Sequence, residues 1–248
     1  MPEPYGIARL SPNGLLSQAD LRLFRYTLEY GGLGIVRSDT SFSLVAHPFR
    51  RDSLANLVTV LPDKALDPIP LAFASYEMVK RYVKLSPSED RLIDMYSRAP
   101  LTLVCEIRDD QDPRAVGEML NTEGTIGVRL TDSPIEMQIS NELQRPITTC
   151  AIRDEAGRPV RSFDDAYALV RSRIESCGDR ILFYSARANR FAPSDLSTVV
   201  SVRKLPIRRG DEEEVPDSIH VYRIGALEPK KINDALRVLC PSDFEDWT

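Results

Sequence analysis

Apolar residues along the chain follow two alternating rhythms. Leu21, Phe24 and Leu28 recur at helical spacing behind the capping pair Ser17-x-x-Asp20, and Gly31-Gly32 stop the run, which predicts an amphipathic helix over 18–30. Ile135, Ile139 and Leu143 recur in the same way behind Ser133-Pro134-Ile135-Glu136, an N-cap with a first-turn proline and a Glu spaced to reach back to the cap. Ser162-x-x-Asp165 opens a third helix with Ala166, Leu169, Val170 and Ile174 inward and Gly178 as its stop. Between these helices lie short apolar runs at 71–74, 102–107, 125–130, 147–152, 181–185 and 197–202, several of them rich in β-branched residues and poor in charge. Such runs suit strands covered on both faces. Another buried strand is predicted at Gly34-Ile35-Val36, breaking into a polar turn that carries Asp39-Thr40. Strands interleaved with helices predict an α/β layered sheet.

Past this pattern, the acidic, proline-containing stretch 211–217 reads as a linker. Residues 1–210 then form one domain, and 218–248 a strand-and-helix appendix too small to be a second one.

At 248 residues and 42% hydrophobic, the chain can bury one large core or two modest ones. A net charge of -5 argues against coating nucleic acid through bulk charge, while a local basic cleft stays compatible with it. Four cysteines (Cys105, Cys150, Cys177, Cys240) form no C-x-x-C pair and only two histidines exist, so neither a disulfide framework nor a zinc cluster is suggested. A reducing, cytoplasmic setting is the simplest expectation. No basic segment followed by an apolar run opens the chain and no apolar window is long enough for a membrane span. Neither G-x-x-x-x-G-K-[ST] nor G-x-G-x-x-G occurs, which excludes the standard phosphate loops.

Asp39-Thr40 at a strand end is by itself as compatible with turn hydrogen bonds as with ligand binding. Three further segments change that reading. Ala99-Pro100-Leu101-Thr102-Leu103-Val104, Gly124-Thr125-Ile126-Gly127-Val128-Arg129-Leu130, and Ser197-Thr198-Val199-Val200 followed by Pro206-Ile207-Arg208-Arg209-Gly210 occur in order after Ser38-Asp39-Thr40 and Pro70-Leu71. This ordered set resembles the threonylcarbamoyl-adenylate synthase family, of the YrdC/YciO type, and the resemblance implies a twisted open mixed sheet flanked by helices with a concave ligand cleft. That family reads Pro-Thr-Asp-Thr-x-Tyr-Gly-Leu at the first place, Thr-x-Gly-Val-Arg-x-Pro at the strand ending in Arg129, and Ser-Thr-Val-Val with a Leu-Arg-x-Gly ending at the last.

The resemblance implies an enzyme that uses ATP, with Mg where the nucleotide carries it, bicarbonate and L-threonine to make the donor for a modified adenosine beside the tRNA anticodon. A triphosphate needs fixed cations and donors aimed at its oxygens. The family supplies them from a Lys-x-Arg pair before Pro-Leu and from Thr-Ser-Ala-Asn. Here Asp63-Lys64-Ala65 stands at the first, with Lys64 as a substitute after a one-residue shift. Thr149-Cys150-Ala151-Ile152 stands at the second, or Arg153 in place of Ile152 if the register moves by one. The binding residues implied are Ser38, Asp39, Thr40, Lys64, Arg129, Cys150, Arg153, Ser197, Thr198 and Arg208, with Arg129 and Arg208 removable together at the cost of a few degrees of thermal stability. Other candidates have plainer readings: Arg50-Arg51 and Arg208-Arg209 as solvated or phosphate-binding pairs, His47 as a base or a structural residue.

Three functions follow from these residues. The first is a divergent member that binds a nucleotide or an RNA ligand, double-stranded or tRNA-like, with synthesis impaired or lost. The second is a working synthase with its cations rebuilt from Lys64, Arg129, Arg153 and Arg208. The third is a non-catalytic interaction scaffold, since fold does not set function.

Overall fold

The computed structural model describes residues 5–61, 69–97, 99–110, 124–176, 181–188, 195–203 and 218–239. Twelve strands and seven helices lie among them. In chain order they are β1 (Tyr5–Arg9), α1 (Gln18–Glu29), β2 (Gly34–Arg37), β3 (Phe42–Val45), α2 (Arg51–Val60), β4 (Leu71–Phe73), α3 (Tyr76–Tyr82), β5 (Val83–Lys84), α4 (Pro87–Met95), β6 (Leu101–Ile107), β7 (Thr125–Leu130), α5 (Pro134–Leu143), β8 (Ile147–Thr148), β9 (Cys150–Ala151), α6 (Phe163–Ser176), β10 (Phe183–Arg187), β11 (Thr198–Arg203), β12 (Ser218–Arg223) and α7 (Pro229–Leu239).

A mixed sheet runs in the order β12-β11-β6-β7-β4-β8, with β5 paired to β6. Its β11–β6 and β7–β4 pairs are parallel, while β12–β11, β6–β7 and β4–β8 are antiparallel. A smaller sheet, β2-β3-β9, stands beside it, and β1 pairs in parallel with β10. The α/β layering predicted from the hydrophobic rhythms and the mixed sheet implied by the resemblance are therefore both present.

Local chemistry accounts for the helix boundaries. Ser17 Oγ accepts the Asp20 N–H (3.1 Å) and starts α1, and Ser162 Oγ accepts the Asp165 N–H (3.1 Å) before α6. Ser133 caps α5, but Glu136 does not reach back to it. That carboxylate is fully buried and accepts instead from the hydroxyls of Thr131 and Thr149. The capping role expected of Glu136 gives way because a buried anion needs several donors, and the two threonines lie closer to hand.

Alternate residues of β2 feed two cores: Ile35 packs in the larger, with Leu44, Leu57, Phe163 and Val170, whereas Val36 joins Leu21, Phe24, Leu28, Ile135 and Ile139 of α1 and α5. The segment set apart as an appendix is built into this body. β12 forms the edge of the main sheet, and Ile232 and Leu236 of α7 are fully buried in the larger core. The acidic stretch 211–217 lies outside the described residues. No described helix is long and apolar enough to cross a membrane.

His47 follows β3 with its ring buried, its Nδ1 accepting the Phe49 N–H at 3.2 Å. Burial, with Arg145 and Arg50 nearby, pushes its pKa down to about 4 from 6.5. Between those values the unfolded chain binds a proton that the folded chain refuses, so stability falls as pH drops from about 6.5 toward 4. The difference corresponds to about 2 kcal/mol between pH 7 and pH 4.5. Urea unfolding at the two pH values should show His47→Gln losing less than wild type by that amount. Equal losses in the two proteins would mean that His47 protonates in the folded state.

Candidate functional site

A cavity of about 660 Å3 opens where the smaller sheet meets the larger one. Thr40, Ser41 and Ser43 of the β2–β3 hairpin form one wall, and Thr102, Thr125, Gly127 and Arg129 of β6 and β7 form the floor. Thr149, Cys150, Ala151 and Arg153 line a third side, and Ser197, Val199, Tyr222 and Arg223 of the β11–β12 edge a fourth. Gly127 keeps the floor open, because a Cβ there would stand 3.3 Å from Thr102 Cγ2 and 3.4 Å from Pro70 Cα.

The centre of the floor is electrostatically unusual. Arg129 is 3% exposed and forms an ion pair with Asp39, the side chain that enters from the hairpin turn. The pair joins Arg129 Nη2 to Asp39 Oδ1, while Arg129 Nε is buried with no hydrogen-bond partner. Burial lowers the Arg129 pKa, opposed by the charge of Glu136 beneath it. Behind this pair a hydroxyl chain runs from Glu136 through Thr149 (2.8 Å) to Ser43 (3.4 Å) and Ser41 (3.3 Å). A buried guanidinium with an unpartnered Nε at the wall of a cavity is what a ligand carrying a negative charge would satisfy.

Five of the ten residues singled out from sequence, Thr40, Arg129, Cys150, Arg153 and Ser197, line this one cavity. Asp39 reaches it through Arg129. Ser38 is fully buried and committed to the hairpin turn, its Oγ accepting from the N–H groups of Thr40 (3.2 Å) and Ser41 (3.0 Å). Thr198 is also fully buried, and its Oγ1 accepts from the N–H groups of Gly225 (3.0 Å) and Leu227 (3.2 Å). Both hydroxyls thus hold the walls in place. Lys64 and Arg208 lie outside the described residues. The open register after Thr149 resolves by side: Ile152 is fully buried in the core, whereas Arg153 faces the cavity with its Nε unpartnered.

The Sua5/YciO/YrdC family model, described as "Telomere recombination", matches residues 26–210. The chain belongs to that family. It is thereby a relative of the domains that serve threonylcarbamoyladenosine modification of tRNA. Among solved structures, a substituted Sua5 from P. abyssi matches at 15% identity and a TM-score of 0.70, over 92% of this chain and 59% of that one. P. abyssi Sua5 complexed with L-threonine matches at 16% and 0.68, over 93% and 60%. E. coli YciO matches at 11% and 0.69, over 92% and 98%. These identities speak for the fold, and the chain spans about 60% of the length of the Sua5 structures. No curated protein sequence matches it.

Arg223, which lies beyond the residues matched by the Sua5/YciO/YrdC model, is a cavity cation that the sequence reading missed. Its Nε donates to Ser197 O and its Nη2 to Ser197 Oγ, both at 3.0 Å, and Ser197 Oγ is 2.9 Å from Thr102 Oγ1. A signal was present. Arg223-Ile224-Gly225 repeats the Arg-x-Gly ending that was read at Arg208-Arg209-Gly210. The structure explains the glycine, since a Cβ on Gly225 would meet Leu196 O at 2.1 Å. No larger residue brings this strand end so close to Ser197.

Proposed function

We propose that the cavity of this Sua5/YciO/YrdC domain binds a small ligand carrying an anionic group, of the nucleotide or amino-acid kind, and that threonylcarbamoyl-adenylate synthesis is impaired or lost. The observation that carries the reading is Arg129, buried in the cavity floor with its guanidinium held against Asp39 and its Nε unpartnered. Arg153 and Arg223 add cations at the rim, and Thr40, Ser41, Thr102, Thr125 and Ser197 add hydroxyls that donate or accept as the ligand requires. L-threonine, which one P. abyssi Sua5 structure holds, fits this chemistry: its carboxylate suits an arginine fork.

Impairment follows from the family positions that are lost. Arg153 rather than an Asn offering its amide takes the cavity-facing place after Ala151, and Asp63-Lys64-Ala65 replaces Lys-x-Arg. Each charge-assisted contact missing from a transferring phosphoryl group costs about 2–4 kcal/mol, and two of them several orders of magnitude in rate. Among the described residues no cluster of His, Cys, Asp and Glu could hold a metal, so any Mg would arrive on the nucleotide.

Titration calorimetry with ATP and L-threonine, separately and together, should show binding that weakens with salt. Pyrophosphate release with ATP, bicarbonate and L-threonine should run far below about 1 per second, an ordinary enzyme rate. Turnover at that rate would favour the rebuilt synthase, and no binding at low salt would favour the interaction scaffold.

A further inference from the structure

Behind the cavity floor sits a carboxylate with no access to solvent. Glu136 is fully buried in the first turn of α5 and does not itself line the cavity. Hydroxyls connect it to that space. Thr149 Oγ1 lies 2.8 Å from Glu136 Oε1, Ser43 Oγ 3.4 Å from Thr149 Oγ1, and Ser41 Oγ 3.3 Å from Ser43 Oγ, and all three residues line the cavity. Thr131 donates to the other carboxylate oxygen. Two of these hydroxyls are departures from the family motifs: Ser43 stands where the first motif has Gly, and Thr131 where the arginine strand ends in Pro.

The hydrogens available give this chain two settings. A hydroxyl carries one hydrogen, and Thr149 Oγ1 is placed to donate either to Glu136 Oε1 or to Ser43 Oγ. With Glu136 ionised, the carboxylate takes that hydrogen. With Glu136 protonated, the carboxyl donates to Thr149 and Thr149 to Ser43. The Ser43–Ser41 bond runs in either sense, so Ser43 then donates to Ser41 and the Ser41 hydrogen turns to the cavity. The first setting suits an empty floor and the second a floor that must donate to an anion.

The charges favour the second setting once an anion is seated. Arg129 pairs with Asp39 and also feels the charge of Glu136, one cation against two carboxylates. A further negative charge in so buried a place is costly unless a proton comes with it. Arg153 and Arg223 line the cavity, and Asp132 and Arg145 flank α5 on its exposed sides. Of the elements packed on α5, β4 and β8 carry no charged residue, β2 carries Arg37, and α1 carries Asp20, Arg22, Arg25 and Glu29. Asp20 accepts from Tyr184, and Arg25 pairs with Glu29 and Glu142. Asp39 is a poor place for the proton, because the guanidinium beside it has donors only and a protonated Asp39 would lose that pair. A protonated Glu136 keeps both oxygens bonded, since a threonine hydroxyl accepts as readily as it donates.

We propose that Glu136 is a proton-binding site coupled to the cavity, so that an anionic group and a proton enter together; this rests on the reading that the cavity holds such a group. The proton comes from solvent. Thr149 gives its hydrogen to Glu136 Oε1 and takes one from the cavity side, and the one new O–H bond is on Glu136.

Titration calorimetry of the full chain with sodium sulfate, an anion with no titratable proton between about pH 6 and pH 8, tests this in buffers of differing ionisation heat, because the dependence of the measured heat on the buffer counts the protons bound. ATP is titrated in parallel, and subtracting the Glu136→Gln value removes the proton that its own phosphate takes up. Wild type should take up about one proton per anion, and its affinity should fall by up to about tenfold for each unit of rising pH. Glu136→Gln keeps the shape and the bonding capacity but accepts no proton, so its affinity for sulfate should be flat over the same range with no dependence on buffer. Asp39→Asn should keep the proton uptake. Difference infrared spectra of wild type with and without sulfate should show the carbonyl stretch of a protonated carboxyl group appear, which reads the proton without any variant. Anion binding with no proton taken up, uptake unchanged in Glu136→Gln, or uptake lost in Asp39→Asn but kept in Glu136→Gln would each overturn the proposal and leave the cavity reading in place. Failure of wild type to bind either sulfate or ATP at low salt would remove the cavity reading, and this proposal with it.

Discussion

Replacing Arg129 by alanine should cost about 3–5 kcal/mol of stability, the range for removing one partner of a buried ion pair. Arg129 is 3% exposed and faces Asp39 in front and Glu136 below. Without the guanidinium, Asp39 keeps its charge in a poorly solvated turn and has no cation beside it. The sequence-based expectation is that Arg129 and Arg208 can be removed together at the cost of a few degrees, and the burial of Arg129 beside Asp39 predicts a larger loss. Urea unfolding of Arg129→Ala, Asp39→Asn and the double variant gives the coupling directly. The double variant should recover at least about 1 kcal/mol of what Arg129→Ala loses, because neutralising Asp39 removes the stranded charge. An Arg129→Ala protein within about 1 kcal/mol of wild type would mean that the pair is solvated and that Arg129 is no preorganised anion site.

The elements most legible in the sequence were those with both a cap and a long periodic face. α1, α5 and α6 each open on a serine that accepts a backbone N–H, and each buries the apolar stripe read from spacing. α4 carries the same signal in Ser86-Pro87-Ser88-Glu89, a full capping box, yet its nine residues bury little beyond Leu92 and Ile93. A single turn's worth of apolar residues leaves periodicity silent. α2 starts at Arg50 with no side-chain cap, so nothing local announces it. β3 follows β2 so closely that the pair reads as one strand running into a polar turn. In fact Ser38 N–H donates to Ser41 O (2.8 Å) and turns the chain back on itself.

The site was legible wherever a motif residue faces the cavity, as at Thr40, Arg129 and Ser197. It was not legible where packing decides the direction of a side chain. Along 150–153 the cavity takes Cys150, Ala151 and Arg153 while the core takes Ile152, and spacing alone leaves that choice open. Glu136 is the clearest case: its helix-capping spacing is real, but its function is to anchor the hydroxyl chain behind the floor. The strands β11 and β12 are partners in space, yet residues 204–217 separate them in sequence, so spacing alone gave no reason to bring Arg223 to the cavity.

The presence of two Arg-x-Gly segments makes Arg223→Ala the sharper test of the site. Arg223 is partly buried at the cavity rim and held by two bonds to Ser197, which fixes its guanidinium before any ligand arrives. A charge-assisted contact from such a group contributes about 1.5–3 kcal/mol to binding, so affinity for ATP at low salt should fall about ten- to a hundredfold. Stability should change far less than for Arg129→Ala, because Ser197 Oγ keeps its bond with Thr102 and neither leaves a buried charge behind. Arg223→Lys should fall between wild type and alanine: an ammonium restores the charge but cannot donate to the Ser197 carbonyl and hydroxyl in the same fork. Arg187→Ala supplies the comparison, since that side chain is 44% exposed and paired with Asp164 at the surface. Its removal should leave ATP affinity as it was. Calorimetric titration that finds Arg223→Ala and Arg187→Ala alike, both matching wild type, would take the phosphate contact away from the β11–β12 edge and return it to Arg208-Arg209-Gly210.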